Sequence, residues 1–164
     1  MKEIDLIRWA LRKTDEWVVG AAEDMRDAPL TQPTSRGGNH PLWILGHLAV
    51  VEGAVPQLLF SEPNPVEHWQ PLFGRGTRPT TDAGAYPPFD EVLATYRELR
   101  AKNLARLDET GEAGLEQAPA AVPPGFAEKS LTRGQTLLVI ALHQMSHLGQ
   151  IADARRAAGR EPRF

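Results

Sequence analysis

Apolar residues recur at alternating spacings of three and four along four separate stretches of this chain, and alternation at spacing two is nowhere sustained. That period stripes one face of a helix, so the chain reads as all-α. Ile4, Ile7, Leu11, Thr14, Val18, Ala21 and Met25 mark a first helix over about 3–26, with Thr14 the one polar intruder. Residues 27–39 break the pattern with Pro29, Pro33, Gly37 and Gly38. A second helix starts near Asn39 or His40, where Asn is a favoured cap and Pro41 falls in the first turn. It continues through Leu42, Leu45, Leu48, Val51, Ala54 and Leu58 to about Phe60, with Pro56 expected to kink its last turns. A third covers about 89–107, with Phe89, Val92, Tyr96, Leu99 and Leu104 or Leu107 inward. A fourth opens on Thr132-Arg133-Gly134-Gln135, a capping-box pattern, and runs to about Ala158, with Gly159 as its stop.

The connections differ in length. Segment 61–87 holds five prolines and three glycines without a period, too long for an ordinary bundle turn. A second proline-rich loop carries Pro119, Pro123 and Pro124. The whole, 1–164, is expected to form a single four-helix bundle domain.

Charge and composition narrow the function classes. A net charge of −3 supplies no basic field for nucleic acid or anionic lipid, so no nucleic-acid partner is expected. The most basic stretch, Arg155, Arg156, Arg160 and Arg163, complements the negative end of a helix dipole. Cysteine is absent, so any metal must sit on nitrogen and oxygen, and no protein thiol can act as nucleophile. Charges in the first five residues leave no signal-peptide core, and no run of about 18 apolar residues suggests a membrane span. The expected location is the cytoplasm.

His143-Gln144-Met145-Ser146-His147 places two imidazoles one helical turn apart, with Cβ atoms about 5–6 Å apart. Both rings can then reach one ion at metal–nitrogen distances of roughly 2.0–2.1 Å. The spacing alone is weak, since two histidines on a solvated face are unremarkable. Their neighbours Leu142, Met145, Leu148 and Ile151 are apolar, however, and Thr136, Ile140, Gln150 and Ala154 continue the same stripe, read as the buried side. His47 sits in an equally apolar run, Trp43-Ile44-Leu45-Gly46-His47-Leu48, where Gly46 would let another helix approach closely. Alone, it reads as a buried histidine bonded to a carbonyl.

Axial height couples the three. His47 lies roughly 20 Å from the end of the second helix, and His143 and His147 lie roughly 17–23 Å from the start of the fourth. Antiparallel second and fourth helices bring the rings level; parallel ones separate them by two turns. Antiparallel packing of that pair requires parallel second and third helices, if the shorter links join antiparallel neighbours. A connection across about 30 Å is then needed, and 61–87 can span it. Loop and heights ask for the same topology, an up-down-down-up bundle with a long crossover between helices two and three. His40, about 10 Å from His47, is assigned to capping, His68 has no partner at ligand spacing, and Glu52 points to another side.

Trp43-Ile44-Leu45-Gly46-His47-Leu48 and His143-Gln144-Met145-Ser146-His147-Leu148-Gly149-Gln150-Ile151 resemble the DinB / YfiT-like superfamily of metal-dependent proteins. The resemblance implies a DinB-like up-down-down-up bundle with a three-histidine metal site, carried over to His47, His143 and His147. Some members are thiol S-transferases or isomerases using bacillithiol, mycothiol or glutathione, and homodimers are common, so the resemblance implies a homodimer here. The end at Phe164 leads to the expectation that the additional C-terminal domain of some mycothiol-using relatives is missing here.

Two functions stand side by side. Three protein ligands leave open positions for a water or substrate, as in a metal-dependent thiol S-transferase joining a low-molecular-weight thiol to a small electrophile. Alternatively, the site belongs to a non-catalytic metal-binding or stress-response module. Three imidazoles suit a divalent metal ion, zinc or nickel first, with iron or copper as further choices. Trp69, Phe73, Arg75 and Arg78 of the crossover could wall a substrate pocket, or merely anchor the loop. No catalytic acid or base is at a compelling spacing.

Overall fold

A computed structural model describes residues 2–122 and 131–161; Pro123, Pro124 and Arg163 lie outside the described residues. Four long helices form the bundle: α1 (Glu3–Asp24), α2 (Pro41–Phe60), α4 (Phe89–Leu115) and α5 (Arg133–Ala157). A one-turn helix, α3 (Gln70–Phe73), lies in the crossover between 3-10 turns at Glu67–Trp69 and Ala83–Ala85. All seven residues of the first helical stripe are buried, including Thr14, whose hydroxyl donates to the Leu11 carbonyl.

Ion pairs and close approaches give the directions. The Ile4 amide donates to Glu112 at one end and Arg97 pairs with Glu23 at the other, so α1 and α4 are antiparallel. Gly134 abuts Glu3 and Ile7, and Arg155 meets Asp24 at 2.7 Å, so α1 and α5 are parallel. Glu52 pairs with Arg100 and Glu62 with Arg106, setting α2 parallel to α4. Asn39 meets Gln150 while Glu52 meets Gln144, so α2 and α5 are antiparallel. The result is an up-down-down-up bundle. Contrary to the expectation from loop length, the shorter links do not join neighbouring helices. The most extensive contacts are the parallel pairs α1/α5 and α2/α4, and the consecutive pairs α1/α2 and α4/α5 stand across the diagonals.

Boundaries follow the local chemistry. Thr132 and Gln135 cap α5 reciprocally, and Gly159 takes φ +75° just past its end. The Nδ1 of His40 accepts the Trp43 amide and caps α2, while its Nε2–H donates to the Thr80 carbonyl at 2.9 Å. That histidine therefore pins the crossover as well as the helix. The helix expected over 89–107 runs on until Gly111 breaks it (φ +64°, ψ 176°), and a further helical turn ends at the fully buried Leu115. α2 is apolar and long enough to cross a membrane by composition, but 72% of its most apolar window is buried in the bundle. Its apolarity serves the core.

That core is two apolar clusters. One gathers Val18, Ile44, Leu48, Leu93, Tyr96 and Ile151; the other gathers Ile7, Leu11, Val55, Leu107, Leu115 and Ile140. At mid-height come buried polar side chains: Glu52 of α2, Arg100 and Asn103 of α4, and Gln144 of α5.

Candidate metal centre

The α2/α5 contact presents His47 opposite His143 and His147. The Nε2 atoms of His47 and His143 are 3.4 Å apart, and those of His143 and His147 are 3.1 Å apart. All three rings offer a nitrogen within 4.8 Å of the others, and no carboxylate joins them among the described residues. Nitrogens on a tetrahedral ion at bonds of roughly 2.0–2.1 Å would be about 3.3 Å apart. The two separations from His143 fit that edge.

The far sides of two rings are fixed. His47 Nδ1 lies 2.7 Å from the Phe73 carbonyl, which can only accept, so Nδ1 carries the proton and Nε2 presents its lone pair. His147 Nδ1 donates to Gln150 Oε1 at 2.8 Å, and that amide is oriented by Asn39 Nδ2 at 3.3 Å. His143 Nδ1 is buried with no hydrogen-bond partner among the described residues. As neutral rings, the cluster offers two Nε2 lone pairs and at most one N–H, from His143. One of the two lone pairs then stays unmet, as does the buried His143 Nδ1, each at a cost of about 1–3 kcal/mol. A cation at the common point satisfies all three Nε2 atoms, so the donor set fits a divalent metal ion.

Burial keeps the rings ready as ligands. It holds His47 down to about 4 although the accepting Phe73 carbonyl favours the protonated ring, and holds His143 down to about 4 with help from the other two rings. His147 is lowered for the same primary reason. At neutral pH all three are uncharged, as metal binding requires.

The crossover supplies the support. Trp43 stacks on His47 with centroids 4.8 Å apart and planes 7° apart, and its indole N–H donates to the Leu72 carbonyl and Thr77 hydroxyl. Gly46 does admit a close neighbour, but that neighbour is the Phe73 ring and not one of the long helices. A Cβ on Gly46 would stand 2.3 Å from it. Trp69 and Phe73 are packed in the core, and Arg75 and Arg78 are exposed, the arrangement of loop anchors with solvated arginines. His68 is exposed and outside the cluster. Gln150, expected on the buried side, is exposed overall and contributes only its amide oxygen to the site.

Glu52 stays out of the cluster, as its position on α2 indicated. Unexpectedly from the sequence, it is itself buried, with Arg100, Asn103 and Gln144. A signal was present: Arg100 and Asn103 fall on the stripe Tyr96–Leu107, and Glu52 falls on the stripe Leu48–Val55.

The sequence profile of the DinB superfamily matches residues 10–151 of this chain. No curated protein matches significantly. Among solved structures the chain is similar to YfiT from Bacillus subtilis, described as a probable metal-dependent hydrolase with an unusual four-helix bundle topology. The TM-score is 0.68 at 18% identity, covering 96% of this chain and 89% of that one. At that identity the likeness speaks for the fold.

Proposed function

The chain belongs to the DinB superfamily, and on that premise we propose that His47, His143 and His147 hold a divalent metal ion, zinc or nickel first, in service of thiol S-transfer to a small electrophile. The observation that carries the reading is the convergence of the three rings: His143 Nε2 lies 3.4 Å from that of His47 and 3.1 Å from that of His147, and both of those partners have their Nδ1–H already engaged. A bound ion would supply Lewis acidity, lowering the pKa of a thiol or water at its open positions. The chain's own part is to keep the rings neutral, fix their tautomers and hold them level. The half-buried His143 marks the side on which the cluster approaches the surface.

A second reading, metal-dependent hydrolysis, takes support from the description of the YfiT structure and uses water where the first uses a thiol. A third, a non-catalytic metal-binding module, shares the ion and lacks turnover. Elemental analysis of the wild type beside His143→Ala/His147→Ala tests what the three share. The wild type is expected to hold close to one metal per chain, and the variant little at an unchanged helical spectrum. Equal metal content in both removes the site. Turnover of small electrophiles with and without added thiols, and of esters, then separates transferase, hydrolase and module.

A further inference from the structure

The polar layer at mid-height makes little sense as a stability device. Glu52, Arg100, Asn103 and Gln144 are 1%, 2%, 6% and 0% exposed. Glu52 Oε1 accepts from Arg100 at 2.8 Å and Gln144 at 2.9 Å, and Oε2 accepts from Asn103 at 2.8 Å. Yet Arg100 Nε and one terminal nitrogen, and Gln144 Oε1, are buried with no hydrogen-bond partner among the described residues. A buried ion pair with unmet groups is commonly no better than apolar residues of the same volume. What such a layer can do is specify register, because the polar groups meet in only one alignment.

That alignment matters where Gln144 sits, between His143 and His147 on α5, bonded to a carboxylate five residues after His47 on α2. A slip of one residue moves α5 by about 1.5 Å and turns it by about 100°. Ligand nitrogens that must each lie roughly 2.0–2.1 Å from one ion cannot absorb that. We propose that Glu52, clamped by Arg100 and Asn103, is a positioning residue for the three-histidine centre: through its hydrogen bond to Gln144 it sets the axial register that brings His47 level with His143 and His147. This rests on the metal reading above. Anchoring from α4 is reinforced at the backbone. Pro56 lacks an N–H, so the Glu52 carbonyl loses its helical partner and takes Asn103 Nδ2 at 3.0 Å instead.

The test uses the cobalt-loaded full chain, with affinity measured by chelator competition and geometry by the visible d–d bands. Gln144→Met removes the α2–α5 link and leaves Glu52 its Arg100 and Asn103 partners. It is expected to weaken cobalt binding on the order of 10–100-fold and to alter the bands. Leu115→Ala, in the other apolar cluster, destabilises the bundle while leaving every side chain of the layer in place, and is expected to keep the wild-type affinity and spectrum. Should Gln144→Met not fold, Glu52→Gln keeps the shape, drops the charge and is expected to show a smaller shift in the same direction. Wild-type affinity and bands in the layer variants overturn the proposal, as does an equal loss in Leu115→Ala. Wild-type protein whose metal content matches that of His143→Ala/His147→Ala overturns the metal reading itself, and is seen before any layer variant is compared.

Discussion

His47 and His147 each have an acceptor for Nδ1–H, while His143 has none among the described residues, so the three imidazoles are unequally held. The acceptor of His147 is a side chain, Gln150, and can be removed without disturbing the backbone. Gln150→Leu is expected to lower metal affinity on the order of 10–100-fold at unchanged helix content, by loss of ring orientation. Calorimetric titration with zinc checks this, and wild-type affinity would show the contact to be idle. The same rings make the metal-free protein sensitive to acid. His47 and His143 titrate near 4 when folded against 6.5 as reference, so the unfolded chain binds their protons more readily between those values. Their contribution to stability is full above about pH 6.5 and is lost progressively as pH falls toward 4. Urea midpoints in chelator should decline across that window, and His47→Phe/His143→Leu should flatten the decline; parallel curves for the two proteins would refute this cause.

At the scale of elements, α2 is the organiser. It contributes His47, seats the crossover through Gly46, and buries Glu52 opposite α4. Gly46→Ala would drive a methyl into the Phe73 ring, whose residue also holds the His47 tautomer. A loss of about 1–3 kcal/mol is expected, together with weaker metal binding. Thermal unfolding with and without zinc measures both; a stability matching the wild type would mean that Phe73 moves freely. Stripes of apolar residues revealed these helices because burying one face needs only the 3.6-residue period. The polar layer stayed hidden for the complementary reason. Arg100, Asn103, Glu52 and Gln144 lie on those stripes, but charge and amide groups ordinarily face water, and only their mutual contacts make burial tolerable.

For the whole molecule, the proposed ion would bridge two antiparallel helices that no short loop connects, so its removal should be felt globally. With free zinc at about a hundred times its dissociation constant, the expected stabilisation is about 2.7 kcal/mol, lost on chelation. Denaturation with and without chelator checks it, and identical curves would mean that the site contributes nothing to the fold. What the amino-acid order by itself determined was local or additive: helix period, caps, proline breaks and the axial height of each histidine, since 1.5 Å per residue needs no knowledge of neighbours. The long crossover carried one piece of global information, that α2 and α4 run the same way. Which helices touch was decided only by the tertiary structure. Parallel pairs α1/α5 and α2/α4 took the large interfaces and consecutive helices took the diagonals. Side-chain fit across faces settles that choice, and a one-dimensional period does not encode it. The support for His47 was likewise beyond reach of the sequence, because the Phe73 carbonyl that orients it is a backbone atom brought close by how the crossover lies over α2.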